Sequence, residues 1–317
     1  MYQLSITFTQ QAQYMSYSVK IKRYLLIINY LIDNKKPTLK QILQYIHTND
    51  LNCSNRTLQR DIFDLREEFD IGIVVDHTDN SYSINYDDSG NIDEVLRLFK
   101  ISNSAQVMIE TINEGKNTLK YLSLDSSENL TGIELLEPLI TALKTKQVIT
   151  FNHFSFQTEE TKLITLHPYL LKEYKNRWFL FGENDKHKDF GIYGIERISN
   201  LVLTGNYFVP KADYDPKTNF ENIIGIATRP FISGLPAQDF TLTMTEEQGR
   251  YFKTLRWHSN CEILVDNKDE FRVKLHLLPN YEFMQILYQY CDKVTVLEPQ
   301  WLRDHLKAIF KASSEKY

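Results

Sequence analysis

Arg56, Gln59 and Arg60 are the residues whose types and spacing most directly specify a chemistry, and that chemistry is recognition by hydrogen bonding. Arginine pairs bidentately with guanine, and glutamine with adenine, on the base edges displayed in the major groove. Successive residues of a helix turn by about 100°. Setting Leu58, Ile62, Leu65 and Phe69 toward a core therefore turns Arg56, Gln59, Arg60 and Phe63 outward, with the two arginines, four apart, on one side. Asn55 and Thr57 fall in the first turn, where side chains and free backbone N–H groups meet phosphates. The alternative is a solvated helix face whose arginines pair with Asp64, Glu67 or Glu68.

A helix that reads bases has to be held by other elements. Ile21, Tyr24, Leu25, Ile28, Leu31 and Ile32 recur at helical spacing and predict a first helix, closed by Asn34-Lys35-Lys36-Pro37. Thr38 with Gln41 has the form of a capping box, and Leu39, Ile42, Leu43 and Ile46 stripe a second helix. Ser54 is a suitable cap for the third. From Ile71 to Asn85 apolar residues alternate on either side of a turn cluster, which predicts a β-hairpin. Three short helices followed by a hairpin is the order of a winged helix-turn-helix, here over residues 19–86. The net charge of the chain is −5, but Lys20, Lys22, Arg23, Lys35, Lys36, Lys40, Arg56 and Arg60 are opposed between residues 19 and 60 only by Asp33 and Asp50. Docking on phosphates depends on that local charge. Lys35, Lys36 and His77 are further candidates for backbone contacts, and residues 1–18 show no clear period.

Beyond a polar boundary at Tyr86–Asn91, residues 92–146 read as a helical connector with a polar break near Ser123–Asn129. The boundary holds Asp87, Asp88, Ser89 and Asn91, but Gly90 stands in the wrong place for a calcium loop. Residues 147–210 are β-rich, with five alternating runs separated by turn residues. Residues 238–317 read as strand, helix, strand, strand, helix, strand, helix, the order of a ferredoxin-like α+β unit. The expected class is thus a multidomain α+β protein.

Several function classes are disfavoured. Apolar residues at 42% and charged residues at 24% suit an ordinary globular chain. No uninterrupted apolar run approaches the roughly 20 residues that span a bilayer, and the N-terminus lacks a secretory pattern, so a cytoplasmic location is expected. Cys53, Cys261 and Cys291 are scattered, without Cys or His neighbours at metal-ligand spacing, which fits buried thiols in a reducing compartment. The chain contains no GxxxxGKS or GxxxxGKT, GxGxxG, HExxH or GxSxG motif. No cofactor is expected. An enzyme with an unrecognisable site and a DNA-binding accessory protein of phage defence are the competing readings.

The segment SNRTLQRDIFDLREEFDIGI, followed by a hairpin, resembles the winged helix of the WYL-domain family of bacterial transcription regulators. HPYLLKEYKNRWFLFG and the later YGIERI match that family's Trp-Tyr-Leu and Arg-Ile motifs in spacing, with Trp178-Phe179-Leu180 carrying phenylalanine where the family has tyrosine. The C-terminal part is similar to the WCX extension, so the resemblance runs from about residue 19 to the end. It implies a small Sm-like β-barrel (WYL) that senses an effector, nucleotide or nucleic acid in proposals for some members, and a homodimer built through the middle and C-terminal parts. Trp178, Phe179 and Arg197 match the family's pocket, and His153 falls where members commonly carry tyrosine. Phe190-Gly191-Ile192 occupies the stretch before the Arg-Ile motif where a basic residue often stands. By their own residue types, Leu180 and Phe181 are core residues. Arg197, amid apolar neighbours, needs a partner: Glu196, a backbone carbonyl or a bound phosphate. His153 and His167 suit either an effector contact or a structural hydrogen bond.

Overall fold

The computed structural model describes residues 8–34, 36–90, 92–114 and 131–317, so Lys35 and the polar break at 123–129 lie outside the described residues. The chain divides into two compact units, Met1–Leu124 and Asp125–Tyr317.

In the first unit, helix α1 (Phe8–Asp33) begins well before the apolar stripe that marks it in the sequence. Ile21, Tyr24, Ile27, Ile28 and Leu31 are buried, whereas Ile32 is 43% exposed. Ile32 was expected on the buried face. The 100° step centres the buried face on Tyr24, with Ile27 on one flank, and leaves Ile32 about 80° away at the opposite edge. Helix α2 (Leu39–Thr48) is closed by the capping box, with Thr38 N–H donating to Gln41 Oε1 at 2.8 Å and Gln41 N–H to Thr38 Oγ1 at 3.4 Å. Helix α3 (Asn55–Glu67) is capped by Ser54, whose Oγ accepts from Thr57 N–H at 3.1 Å. Leu58, Ile62 and Leu65 are fully inside, and Phe69, just past the helix end, meets Tyr24 and Phe99 edge-on, while those two rings tilt against each other. Strands β1 (Ile73–Asp76) and β2 (Ser81–Ile84) pair antiparallel. The Thr38–Ser81 bridge and the bond from Tyr82 N–H to Pro37 O tie the hairpin to the start of α2. The helical segment between residues 92 and 146 is divided. Helix α4 (Ile92–Glu114) adds Ile92, Leu96 and Phe99 to the core of this unit.

Helix α5 (Leu136–Thr145) belongs to the second unit, where Leu139 and Ala142 pack on a five-stranded antiparallel sheet. Its strands are β3 (Gln147–Ser155), β4 (Glu160–Tyr174), β5 (Arg177–Asn184), β6 (Phe190–Gly194) and β7 (Ile198–Tyr207), in the order β6-β5-β4-β3-β7. The two edges are consecutive in the chain, joined only by the 3₁₀ turn Ile195–Arg197. In a flat sheet they would stand about 19 Å apart at 4.8 Å per strand. Four Cα steps from Gly194 to Ile198 cover at most about 14 Å, and less in a 3₁₀ turn. The sheet therefore curls until its edges approach. A Cβ on Gly182 would meet His167 O at 2.5 Å, so only glycine lets β5 lie this close to β4 beside the bulge at Pro168–Leu170.

The C-terminal part follows the expected order of elements: β8 (Gln238–Met244), α6 (Glu246–Thr254), β9 (Cys261–Asp266), β10 (Phe271–Leu277), α7 (Tyr281–Gln289), β11 (Val294–Glu298) and α8 (Gln300–Ser314). The antiparallel sheet runs β11-β8-β10-β9. Alternation decides its faces: Phe240, Leu242, Met244, Val273 and Leu275 are buried with Phe283, Leu287 and Leu302, while Thr241, Thr243, Arg272 and Lys274 occupy the other side. No helix of the described residues is long and apolar enough to cross a membrane.

Candidate nucleic-acid interface and ligand pocket

Asn55, Arg56, Gln59 and Arg60 are exposed at the N-terminal half of α3, and Thr57 is partly covered by its bonds to Ser54. The expected outward face is thus in place. Of the acids that the sequence offered as partners for its arginines, Asp64 is engaged with α1 instead, and so is its neighbour Asp61. Asp61, 2% exposed, accepts from Arg23 Nε at 2.6 Å and Nη2 at 3.0 Å. Asp64 accepts from Tyr24 Oη at 3.0 Å and pairs with Lys20 Nζ at 2.7 Å. Burial pushes the Asp64 carboxyl up, but bonds from Lys20 and Tyr24 and the charges of Lys20 and Arg60 outweigh it, so the group stays below its ordinary range. Among the described residues Arg56 and Arg60 make no ion pair. Two acids of α3 therefore bind the helix to α1, and two arginines of α3 are left toward solvent. The pairs lie 38 to 44 positions apart in sequence, which is why helix-surface spacing did not reveal them.

At the hairpin, Asp76 accepts from Thr78 N–H at 3.1 Å and Thr78 Oγ1 at 2.5 Å and pairs with Lys36 at 3.1 Å. These bonds, the Thr78 hydroxyl first, lower the Asp76 carboxyl to about 2. Lys36 is thus held against the hairpin, and His77 stands exposed beside it.

In the second unit the four expected pocket residues do not gather in one place. His153 and Arg197 come together, because His153 on β3 faces Ile198 across the β3–β7 register. His153 Nε2 and Arg197 Nε are both buried without a hydrogen-bond partner. Arg197 Nε is ion-paired with Glu196 Oε1 at 3.4 Å, the partner the sequence offered, without a hydrogen bond between them. Burial, and then the charge of Arg197, push the His153 imidazole below its ordinary pKa. Tyr193 lies edge-on to His153 at 5.1 Å, and Phe156 lies 5.1 Å from the Arg197 guanidinium. A permanently cationic guanidinium with a free Nε–H, beside an imidazole nitrogen that donates in one of its two tautomers, suits an anionic oxygen.

Trp178 and Phe179 are neighbours on β5 and so point to opposite faces. Trp178 shares the core side with Leu180 and borders a small cleft with Arg177, Ile195 and Glu196. Phe179 is buried on the other side, under the Arg177 guanidinium at 5.3 Å. Arg177 is also ion-paired with Glu196. Sequence reasoning missed Tyr193, Phe156 and Arg177, and named Glu196 only as a partner of Arg197. The first is legible from the period of β6, but the Arg177–Glu196 pair depends on strand order, which no local pattern carries. No group of three or more metal-ligating side chains occurs among the described residues.

Family models match residues 134–203 as a WYL domain and residues 236–313 as a WCX domain. The chain thus carries a WYL domain followed by a WCX domain. Among solved structures it is similar to proteasome accessory factor B/C (PafBC) of Arthrobacter aurescens, at 15% identity and a TM-score of 0.31, over 91% of this chain and 46% of that one. It therefore spans less than half the length of that relative. A second similar structure, described as a CRISPR Cas-related protein, has 13% identity and a TM-score of 0.39, over 95% of this chain and 85% of the other. No curated protein matches.

Proposed function

We propose that this WYL- and WCX-domain chain is a DNA-binding transcription regulator that acts as a repressor, without catalytic chemistry, and answers to an anionic effector. Residues 19–86 act as a winged helix-turn-helix whose α3 enters the major groove. The observation that carries the reading is the pair of exposed arginines, Arg56 and Arg60, without an ion-pair partner among the described residues, on a helix whose Asp61 and Asp64 are bound to α1. Residues 92–146 connect this part to residues 147–210, the curled sheet read as a small Sm-like barrel with a sensing role. Residues 238–317, with strand order 4-1-3-2, form a ferredoxin-like dimerisation unit.

One small helix-turn-helix touches too few base pairs for specificity at physiological salt, so a two-fold pair on a pseudo-palindromic site is the expected solution. Selection of bound sequences from random DNA with the full chain is expected to return two half-sites related by two-fold symmetry. Light scattering at micromolar concentration is expected to give twice the 37.4 kDa chain mass. A monomer that protects one asymmetric site overturns this part of the reading.

The sensing role rests on the two unbonded nitrogens of His153 and Arg197. An effector shifts the DNA-competent population only by its differential affinity for two states, typically about 1–3 kcal/mol. Arg197→Ala is expected to leave operator binding intact and to abolish the induced response in a reporter assay. The His153 pKa is expected to rise in the same variant, since one of its two depressing causes is gone, and NMR titration reads this directly. The sign for stability follows. With its folded pKa depressed, His153 contributes fully above its unfolded value of about 6.5, and that contribution is lost as pH falls below it. A full response from Arg197→Ala returns the arginine to a structural role.

A further inference from the structure

A concavity of the N-terminal unit lies between α1 and the start of α3. Lys20 and Arg23 line it from α1, and Ser54, Arg56, Thr57 and Arg60 line it from α3 and its cap. Four cations face it, against the single carboxylate of Asp61. That carboxylate is already occupied by Arg23 Nε and Nη2, and Asp64 holds Lys20 by one ammonium contact at 2.7 Å. An ammonium has three donors and a guanidinium five, so each inner cation keeps donors beyond its acid. The acids therefore fix the positions of Lys20 and Arg23 without using up their capacity. Concave walls of low dielectric focus the field of such a cluster.

We propose that this concavity seats a backbone phosphate of bound duplex DNA, with Lys20 and Arg23 as its inner wall, so that α1 is part of the DNA interface. The inference rests on the DNA-binding reading above and adds residues outside the base-reading helix. The first-turn N–H groups of α3 supply a supporting dipole to the same phosphate. Lys20 contributes a contact blind to sequence, whereas Arg56 and Arg60 on the rim remain free to reach base edges. Asp61 and Asp64 act as positioning residues: they hold the seat in register with α3.

The test is equilibrium binding of the full chain to two labelled 30-base-pair duplexes, one holding the selected operator and one of mixed sequence, across a salt series. Loss of one phosphate contact makes the slope of log K against log salt shallower by about 0.9 and weakens both duplexes by a similar factor. Lys20→Gln is expected to do this, with about three- to tenfold weaker binding to each duplex at 0.15 M salt. Because Lys20→Gln leaves Asp64 with only Tyr24, the double variant Lys20→Gln, Asp64→Asn is measured beside it. It restores a neutral hydrogen-bonded pair and is expected to show the same slope. A wild-type slope in both variants, or a loss confined to the operator, overturns the seat while leaving DNA binding in place. Failure of the unmodified chain to bind either duplex removes the DNA-binding reading and the seat together. Tripolyphosphate is the last probe. If it binds the unmodified chain at micromolar concentration, loses binding in Lys20→Gln, and the duplexes do not respond, the concavity holds a free anion and the proposal fails.

Discussion

Asp61→Ala is expected to destabilise the N-terminal unit by about 3 kcal/mol, because it strands the Arg23 guanidinium in a site built around a carboxylate. The side chains of Arg23 and Asp61 are 12% and 3% exposed, so the arginine has little water to fall back on. Removing one partner of a buried pair typically costs about 3–5 kcal/mol, and the partial access of Arg23 places the expectation at the lower end. At about 4–6 °C per kcal/mol for a domain of this size, one thermal transition falls by roughly 12–18 °C. Calorimetry is expected to show that only one of two transitions moves, since Asp61 lies within the unit ending near Leu124. Arg23→Leu combined with Asp61→Ala is expected to recover much of the loss, because the stranded charge goes with its partner. A double variant as unstable as Asp61→Ala alone would show that the cost lies in packing rather than in an unpaired charge. A single variant within about 1 kcal/mol of the parent would show that the pair is effectively solvated.

That pair also marks the limit of what the sequence discloses. Leu58, Ile62 and Leu65 announce a helix because burial of one face imposes a period on residues close in the chain. Ser54 and the Thr38–Gln41 box announce its neighbours for the same reason, since a cap bonds within three residues. Asp61 and Asp64 carry no such signature. On the sequence they are two more polar residues of a helix surface, and only the packing of α1, some forty positions earlier, reveals that they are buried and occupied. In the second unit, the alternation within each of the five strands is legible, and so are both motifs that contain Trp178 and Arg197. Strand order is not, and it decides that His153 meets Arg197 through β3 and β7 while Glu196 meets Arg177. Phe179 is a different case: the motif groups it with Trp178, although the two-residue period of a strand sends adjacent side chains to opposite faces.

The double variant Arg56→Ala, Arg60→Ala is expected to lose operator binding by about two to four orders of magnitude at fixed salt. Each base-reading arginine is worth about 1–3 kcal/mol of discrimination, and the two residues are one helical turn apart on an exposed face. Folding should be preserved, since alanine is the best helix former and neither arginine is ion-paired among the described residues. The Ser54 cap and the contacts of Asp61 and Asp64 with α1 involve other side chains. Affinity for mixed-sequence duplex is expected to fall much less, so the ratio of operator to mixed-sequence binding should collapse toward one. That ratio separates base reading from the loss of two positive charges. Arg60→Lys sharpens the distinction, because lysine keeps the charge and gives up the bidentate fork. If Arg60 reads a guanine, Arg60→Lys resembles Arg60→Ala on the operator and the parent on mixed sequence. If Arg60 meets only phosphate, Arg60→Lys binds both duplexes as the parent does. Unchanged operator affinity in the double alanine variant, with the fold intact by circular dichroism, means that α3 does not lie in the groove with this face inward.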